Sequence, residues 1–178
     1  KQYNYIIDIT YFKQYVEEIK MTKQKKQKTY KTELIVVLDR SLSMGSISKD
    51  MCVAFNTLIS DQKKISGDCK VSLHQFDHEY EDVYVSKELA TVPELNLVPR
   101  GSTALLDALV KTINHTRTRI ESLTKKEKPE YLIFVVITDG EENCSKEFSK
   151  EKIFELITKC REETKWEFIY LGANQDAI

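Results

Sequence analysis

The run Leu34-Ile35-Val36-Val37-Leu38 holds five apolar residues with no polar interruption. A strand with one wet face alternates apolar with polar residues, whereas one that reads apolar throughout is covered on both faces, as in the middle of a parallel sheet. Tyr131–Ile137 repeats the pattern, and Trp166–Leu171 reads as a further strand. Between these runs, Ile47, Met51, Phe55, Leu58 and Ile59 recur at helical spacing, as do Leu105, Leu106, Leu109, Ile113 and Ile120. A further helix is expected over about 149–163. Strands alternating with helices imply an α/β chain: a Rossmann-like open, mostly parallel sheet with helices on both faces. Val71–Phe76 and Tyr80–Val85 alternate with a two-residue period around Asp77–Glu79, which predicts one antiparallel hairpin at the sheet edge. Thr91–Pro99, with two prolines, is expected to be loop.

At 178 residues the chain suits one domain with an appendage. Residues 3–19 place Tyr5, Ile6, Ile9, Phe12, Val16 and Ile19 near helical spacing, and Lys23, Lys25, Lys26 and Lys28 follow without apolar periodicity. The expected division is a helical and basic extension over 1–31 and the core domain over 32–178. A net charge of −1 argues against the whole molecule as a polyanion binder. Nucleic acid is therefore not the expected partner, and a nucleic-acid reading would have to rest on the lysines of 20–31. Cys52, Cys69, Cys144 and Cys160 form no CxxC pair and have no histidine at zinc-ligand spacing, so all four are expected to be reduced and buried. With no signal segment and no membrane-length apolar run, the expectation is a cytoplasmic protein with no membrane contact.

Three apolar strands end at distinctive residues: Leu38 leads into Asp39, Ile137 into Thr138-Asp139-Gly140, and Leu171 into Gly172-Ala173-Asn174. In open α/β sheets ligands bind outside these carboxyl ends, near the point where the connections diverge. Asp39-Arg40-Ser41-Leu42-Ser43 sets a carboxylate and two hydroxyls on alternate positions, all of them oxygen donors. Oxygen suits hard divalent cations, and Mg2+ takes about six ligands at roughly 2.0–2.1 Å, some of them water. Two serines and one aspartate do not fill that shell. Arg100-Gly101-Ser102-Thr103 and Thr138-Asp139-Gly140 are the loops placed to supply the rest.

These three motifs, in this order, resemble a von Willebrand factor A domain with a metal-ion-dependent adhesion site, of the intracellular bacterial or phage-like type. The resemblance covers about residues 32–178. It implies a Mg2+ or Mn2+ ion held by Asp39, Ser41, Ser43, Thr103 and Asp139. Ser41 and Ser43 would touch the metal directly, the aspartates partly through water, and Thr103 in either way. Leu42 departs from the family, where glycine is common between the serines. Relatives also continue past the last strand with another helix and an edge strand, so the domain is expected to lack these elements or to have them elsewhere. An exposed sheet edge would then favour dimerisation or pairing with the N-terminal segment.

A first shell rich in neutral hydroxyls leaves cation charge uncompensated, and a partner's Asp or Glu would complete the coordination. Glu141, Glu142 and Asn143, with Asp77 and His78, are placed to form a rim that selects the partner. The expected function is thus a metal-dependent protein-interaction module and not an enzyme. The alternatives are a nucleic-acid-associated protein using the lysines of 20–31, and an accessory subunit of an ATPase or chelatase complex.

Taken singly, Asp39 or Ser43 reads as a cap of the next helix, Ser102 or Thr103 likewise as an N-cap, and Asp139-Gly140 as a turn. Enzyme readings fail on particular residues. A haloacid dehalogenase-type phosphatase needs a second aspartate where Ser41 stands, and no Gly-x-Ser-x-Gly elbow, GxGxxG or Walker loop occurs.

Overall fold

A computed structural model describes residues 31–64, 67–139, 142–164 and 166–172. The helix expected over 3–19 and the lysine-rich stretch before residue 31 lie outside these residues. Five strands form one sheet: β1 (Lys31–Asp39), β2 (Asp68–Phe76), β3 (Tyr80–Glu88), β4 (Tyr131–Thr138) and β5 (Glu167–Gly172), in the order β3-β2-β1-β4-β5. The β1–β2, β1–β4 and β4–β5 pairs are parallel and β2–β3 is antiparallel, so the hairpin is at the edge as expected. Lys31, assigned above to the extension, opens β1.

Three helices connect the strands: α1 (Ser48–Lys63), α2 (Leu105–Ser122) and α3 (Lys150–Thr164). The alternation of β1 and β4 explains their unbroken apolar sequence. Leu34, Val36, Leu38, Ile133, Val135 and Ile137 share a core with Met51, Phe55, Leu58 and Ile59 of α1. Val37 and Val136 meet Leu105, Leu109 and Ile153 of α2 and α3, and Ile35 and Phe134 meet Ile113 and Cys160. Truncating a fully enclosed residue such as Ile35 to alanine would cost about 2–5 kcal/mol. Trp166, just before β5, is buried against Phe134.

Glu33 enters this core with its charge met. Glu33, on the central strand and buried, accepts hydrogen bonds from Ser72 Oγ at 2.9 Å and Arg119 at 2.6 Å. The four cysteines are free, but only Cys160 is fully buried; Cys52, Cys69 and Cys144 are partly exposed, which corrects the expectation for those three. At the outer edge the β2–β3 ladder slips register near Leu73, and Ser86 takes a positive φ of 51° with its N–H bonded to Ser72 Oγ. Among the described residues no helix is long and apolar enough to cross a membrane.

β2 follows β1 on one side and β4 lies on its other side, so the chain changes direction across β1. The crevice beyond the carboxyl ends of β1 and β4 is the switch point at which such sheets bind ligands.

Candidate metal centre

Asp39 closes β1, and Thr138 closes β4 with Asp139 directly after it. One oxygen of Asp39 accepts the Ser41 N–H at 2.7 Å and the other accepts the Thr138 hydroxyl at 2.5 Å. Ser41 Oγ lies 2.9 Å from Ser43 Oγ, and Ser43 Oγ donates to Asp139 Oδ1 at 2.9 Å. Two strand ends almost a hundred residues apart thus bring Asp39, Ser41, Ser43 and Asp139 into one hydrogen-bonded chain. Burial pushes the Asp39 carboxyl up from its ordinary pKa, against the hydrogen bonds from Thr138 and Ser41, and the charge of Asp139 adds to the rise. A cation beside it would act in the opposite sense.

Thr103 is placed by the backbone of its own loop. That loop lies along the first one: Leu42 N–H donates to Gly101 O at 3.2 Å and Arg100 N–H to Arg40 O at 2.7 Å. Thr103 is buried, its N–H donates to Asn143 Oδ1, and its carbonyl accepts the N–H groups of Asn143 and Cys144. The loop after β4 is thereby tied to the loop before α2.

The capping readings do not hold. The N-cap of α1 is Ile47 and that of α2 is Ala104, so none of Asp39, Ser43, Ser102 and Thr103 takes that position. The N–H groups that open α2 are instead served from afar: Leu106 N–H by Glu142 and Ser145, and Asp107 N–H by Ser145.

Leu42 fits its position because the turn does not require glycine. Ser86 is the only described non-glycine residue with positive φ, and the Leu42 side chain stands outward, 68% exposed. Gly101 is different. Its φ is +69°, and a Cβ there would lie 2.2 Å from His78 Nδ1.

The expected rim is largely structural. Asp77 is fully buried, Asn143 holds Thr103, and Glu142 accepts the Cys144 and Ser145 N–H groups. Glu141 lies outside the described residues. Asp77, His78 and Glu79 do converge, but the Asp77 carboxylate already accepts Arg40 Nε at 2.9 Å and Arg100 Nε at 2.7 Å, so its charge is met. Burial alone would raise that carboxyl; the Glu79 N–H and the two arginines outweigh it and hold the pKa low.

One further loop-organising carboxylate carries no distinctive sequence pattern. Asp107, in the first turn of α2 and nearly buried, accepts the N–H groups of Lys146, Glu147 and Phe148. Its one sequence signal, an acid in the first turn of a helix, is too common to single it out.

The donor set suits Mg2+ or Mn2+. It consists of carboxylate and hydroxyl oxygens, with no sulfur or imidazole to favour zinc or copper. When bound, such an ion supplies a concentrated positive charge and a coordination position open to an outside oxygen.

No protein-family profile and no curated protein matches the chain. Among solved structures it is similar to the vWF domain of the type V pili tip protein Mfa5 from Porphyromonas gingivalis, at 16% identity over 64% of this chain and 39% of that one, with a TM-score of 0.40. It is also similar to the PilB minor pilin from Streptococcus sanguinis, at 20% identity over 65% and 31% of the two chains, TM-score 0.45. A third is the ArnB paralog VWA2 from Sulfolobus acidocaldarius, at 17% identity over 80% and 35%, TM-score 0.47. The chain spans less than half the length of each of these proteins. The likeness is distant. The chain's own strands and hydrogen bonds define an open, mostly parallel α/β sheet with oxygen-bearing side chains gathered at its switch point.

Proposed function

We propose that the chain is a von Willebrand factor A-type interaction module that holds one Mg2+ or Mn2+ ion on Asp39, Ser41, Ser43, Thr103 and Asp139 and captures an acidic side chain of a partner protein. The observation that carries this reading is the hydrogen-bonded chain from Asp39 through Ser41 and Ser43 to Asp139, which gathers four of the five donors at the switch point. The fifth, Thr103, stands on the adjoining loop, held by backbone bonds on both sides.

The chemistry favours binding over catalysis. Three of the five donors are neutral hydroxyls, so an ion held there keeps charge to offer to a carboxylate. No histidine, cysteine or lysine belongs to the set to act as nucleophile or proton carrier at neutral pH. We therefore read the chain as a binding module and not an enzyme.

The test is a thermal melt of the wild type and Asp139→Ala, each in EDTA and in millimolar Mg2+ or Mn2+. An ion that binds the folded state alone stabilises it by RT ln(1 + [L]/Kd), about 1.4 kcal/mol at tenfold excess over Kd. A rise in the wild type that the variant lacks supports the site. No rise in the wild type removes the metal reading. Partner capture is then tested by pull-down with and without EDTA. Capture that ignores EDTA and falls steeply with salt would move attention to the lysines of 20–31.

A further inference from the structure

We propose that Asp77, in the turn between β2 and β3, is a positioning residue that locks the two hydroxyl-bearing loops of the metal centre against each other through Arg40 and Arg100. This rests on the metal reading above, and goes beyond it by assigning the loops' geometry to a residue outside the donor set.

The Asp77 side chain has no exposure, and every polar group it presents is used. Oδ2 accepts Arg40 Nε at 2.9 Å, and Arg40 stands between Asp39 and Ser41. The same oxygen accepts Arg100 Nε at 2.7 Å, and Arg100 opens the loop that carries Thr103. Oδ1 accepts Glu79 N–H at 2.7 Å, and the Asp77 carbonyl accepts Ala104 N–H at 2.9 Å, the residue after Thr103. Each arginine is held a second time from β3 or its turn: Arg40 reaches Glu81 and Arg100 reaches Glu79, both at 2.5 Å. The turn itself lies against Gly101, where a Cβ would strike His78.

The Asp77 carboxylate therefore fixes Arg40, between Asp39 and Ser41, on one loop and Arg100, ahead of Thr103, on the other, while its backbone carbonyl holds Ala104 just after Thr103. A guanidinium bound to a carboxylate is oriented as well as attracted, so the contact sets direction as well as distance. Metal ligands need placement to about half an ångström, and removal of an outer-shell partner typically costs about 10–100-fold in metal affinity. The loops also share two backbone bonds, Leu42 to Gly101 and Arg100 to Arg40, so the fold can outlast the loss of the clamp while the ligand geometry loosens.

The experiment is Mn2+ binding followed by the electron paramagnetic resonance signal of the free ion, with a melt in EDTA beside it. Wild type, Asp77→Asn, Arg100→Gln and Arg100→Lys are compared. Arg100 is half exposed, so its variants should melt in EDTA close to wild type while Arg100→Gln weakens Mn2+ about tenfold. Asp77→Asn should weaken it at least as much, and Arg100→Lys should recover part of the loss. Wild-type affinity in both Arg100→Gln and Asp77→Asn overturns the clamp. A wild type that does not bind Mn2+ removes the metal reading and the clamp with it. If Asp77→Asn fails to fold, the Arg100 pair decides, since a purely structural role for Asp77 predicts unchanged Mn2+ affinity in Arg100→Gln.

Discussion

Gly101→Ala isolates the fit between the Thr103 loop and the hairpin turn. Gly101 has φ +69°, and an alanine held in the left-handed region costs roughly 1–2 kcal/mol. The new Cβ would also sit 2.2 Å from His78 Nδ1 and 2.8 Å from its Cε1, well inside contact distance. His78 is about half exposed and can swing away, which adds only its 3.2 Å contact with Asp77 to the cost. The backbone term therefore dominates, and the total loss is about 1–2 kcal/mol. For a chain of this length each kcal/mol lowers Tm by about 2–4 °C, so the variant should melt roughly 2–8 °C below wild type. The assay is a melt in EDTA, which excludes any metal contribution. Repeating the substitution on a His78→Ala background should shrink the loss slightly, because the steric part disappears and the φ part remains. Gly101→Ala melting with the wild type would refute the reasoning. A loss that vanishes entirely on the His78→Ala background would show that the clash, and not the backbone, carries the cost.

Thr138→Val removes the 2.5 Å hydrogen bond to the buried Asp39 carboxylate and should cost about 1.5–3 kcal/mol in urea denaturation. A change below about 0.5 kcal/mol would mean that the bond contributes no more than an ordinary surface contact. Stability should also depend on His74. This ring, buried on β2, has Nδ1 within 2.6 Å of Asp82 and 2.8 Å of Tyr80, with His115 and Arg119 of α2 facing it and, among the described residues, no partner at Nε2. Burial lowers its pKa against the pull of Asp82, so the unfolded chain binds the proton first. The neutral ring's contribution is complete above about pH 6.5 and is lost as the pH falls below it, by at most about 1.4 kcal/mol per pH unit. Urea midpoints at pH 7.5 and 5.5 should differ more in the wild type than in His74→Leu, and equal differences would count against the assignment.

The strands that position the site were legible because burial on two faces leaves a mark on neighbouring residues. Leu34–Leu38 and Tyr131–Ile137 carry that mark, and Asp39 and Asp139 stand just past them. The hairpin was legible for the complementary reason, its two-residue alternation. The residues that hold the loops were not, because their partners are distant in sequence and follow no period. Arg40 finds Asp77 thirty-seven residues on, Asp107 serves N–H groups about forty residues away, and Glu142 reaches back to Leu106. Asp77 differs from its expected rim position for the same reason: an acid in a turn reads as exposed, and the arginines that bury it are distant in sequence. Leu42 shows the converse. It stands where the family commonly has glycine, yet the backbone there takes a conformation open to any residue.

The irregular β2–β3 ladder bears on how copies of this protein behave when crowded. A strand at the rim of a sheet offers unpaired N–H and C=O groups that can template another chain, and β3 adds the half-exposed Val83 and Val85 to that hazard. The slip near Leu73 and the left-handed Ser86 break the flat run of backbone groups that such templating needs, and the charged Glu81, Asp82, Lys87 and Glu88 would have to lose water against a strand drawn alongside. The same hairpin that carries Asp77 is thus built to resist recruitment into fibrils or stacked sheets.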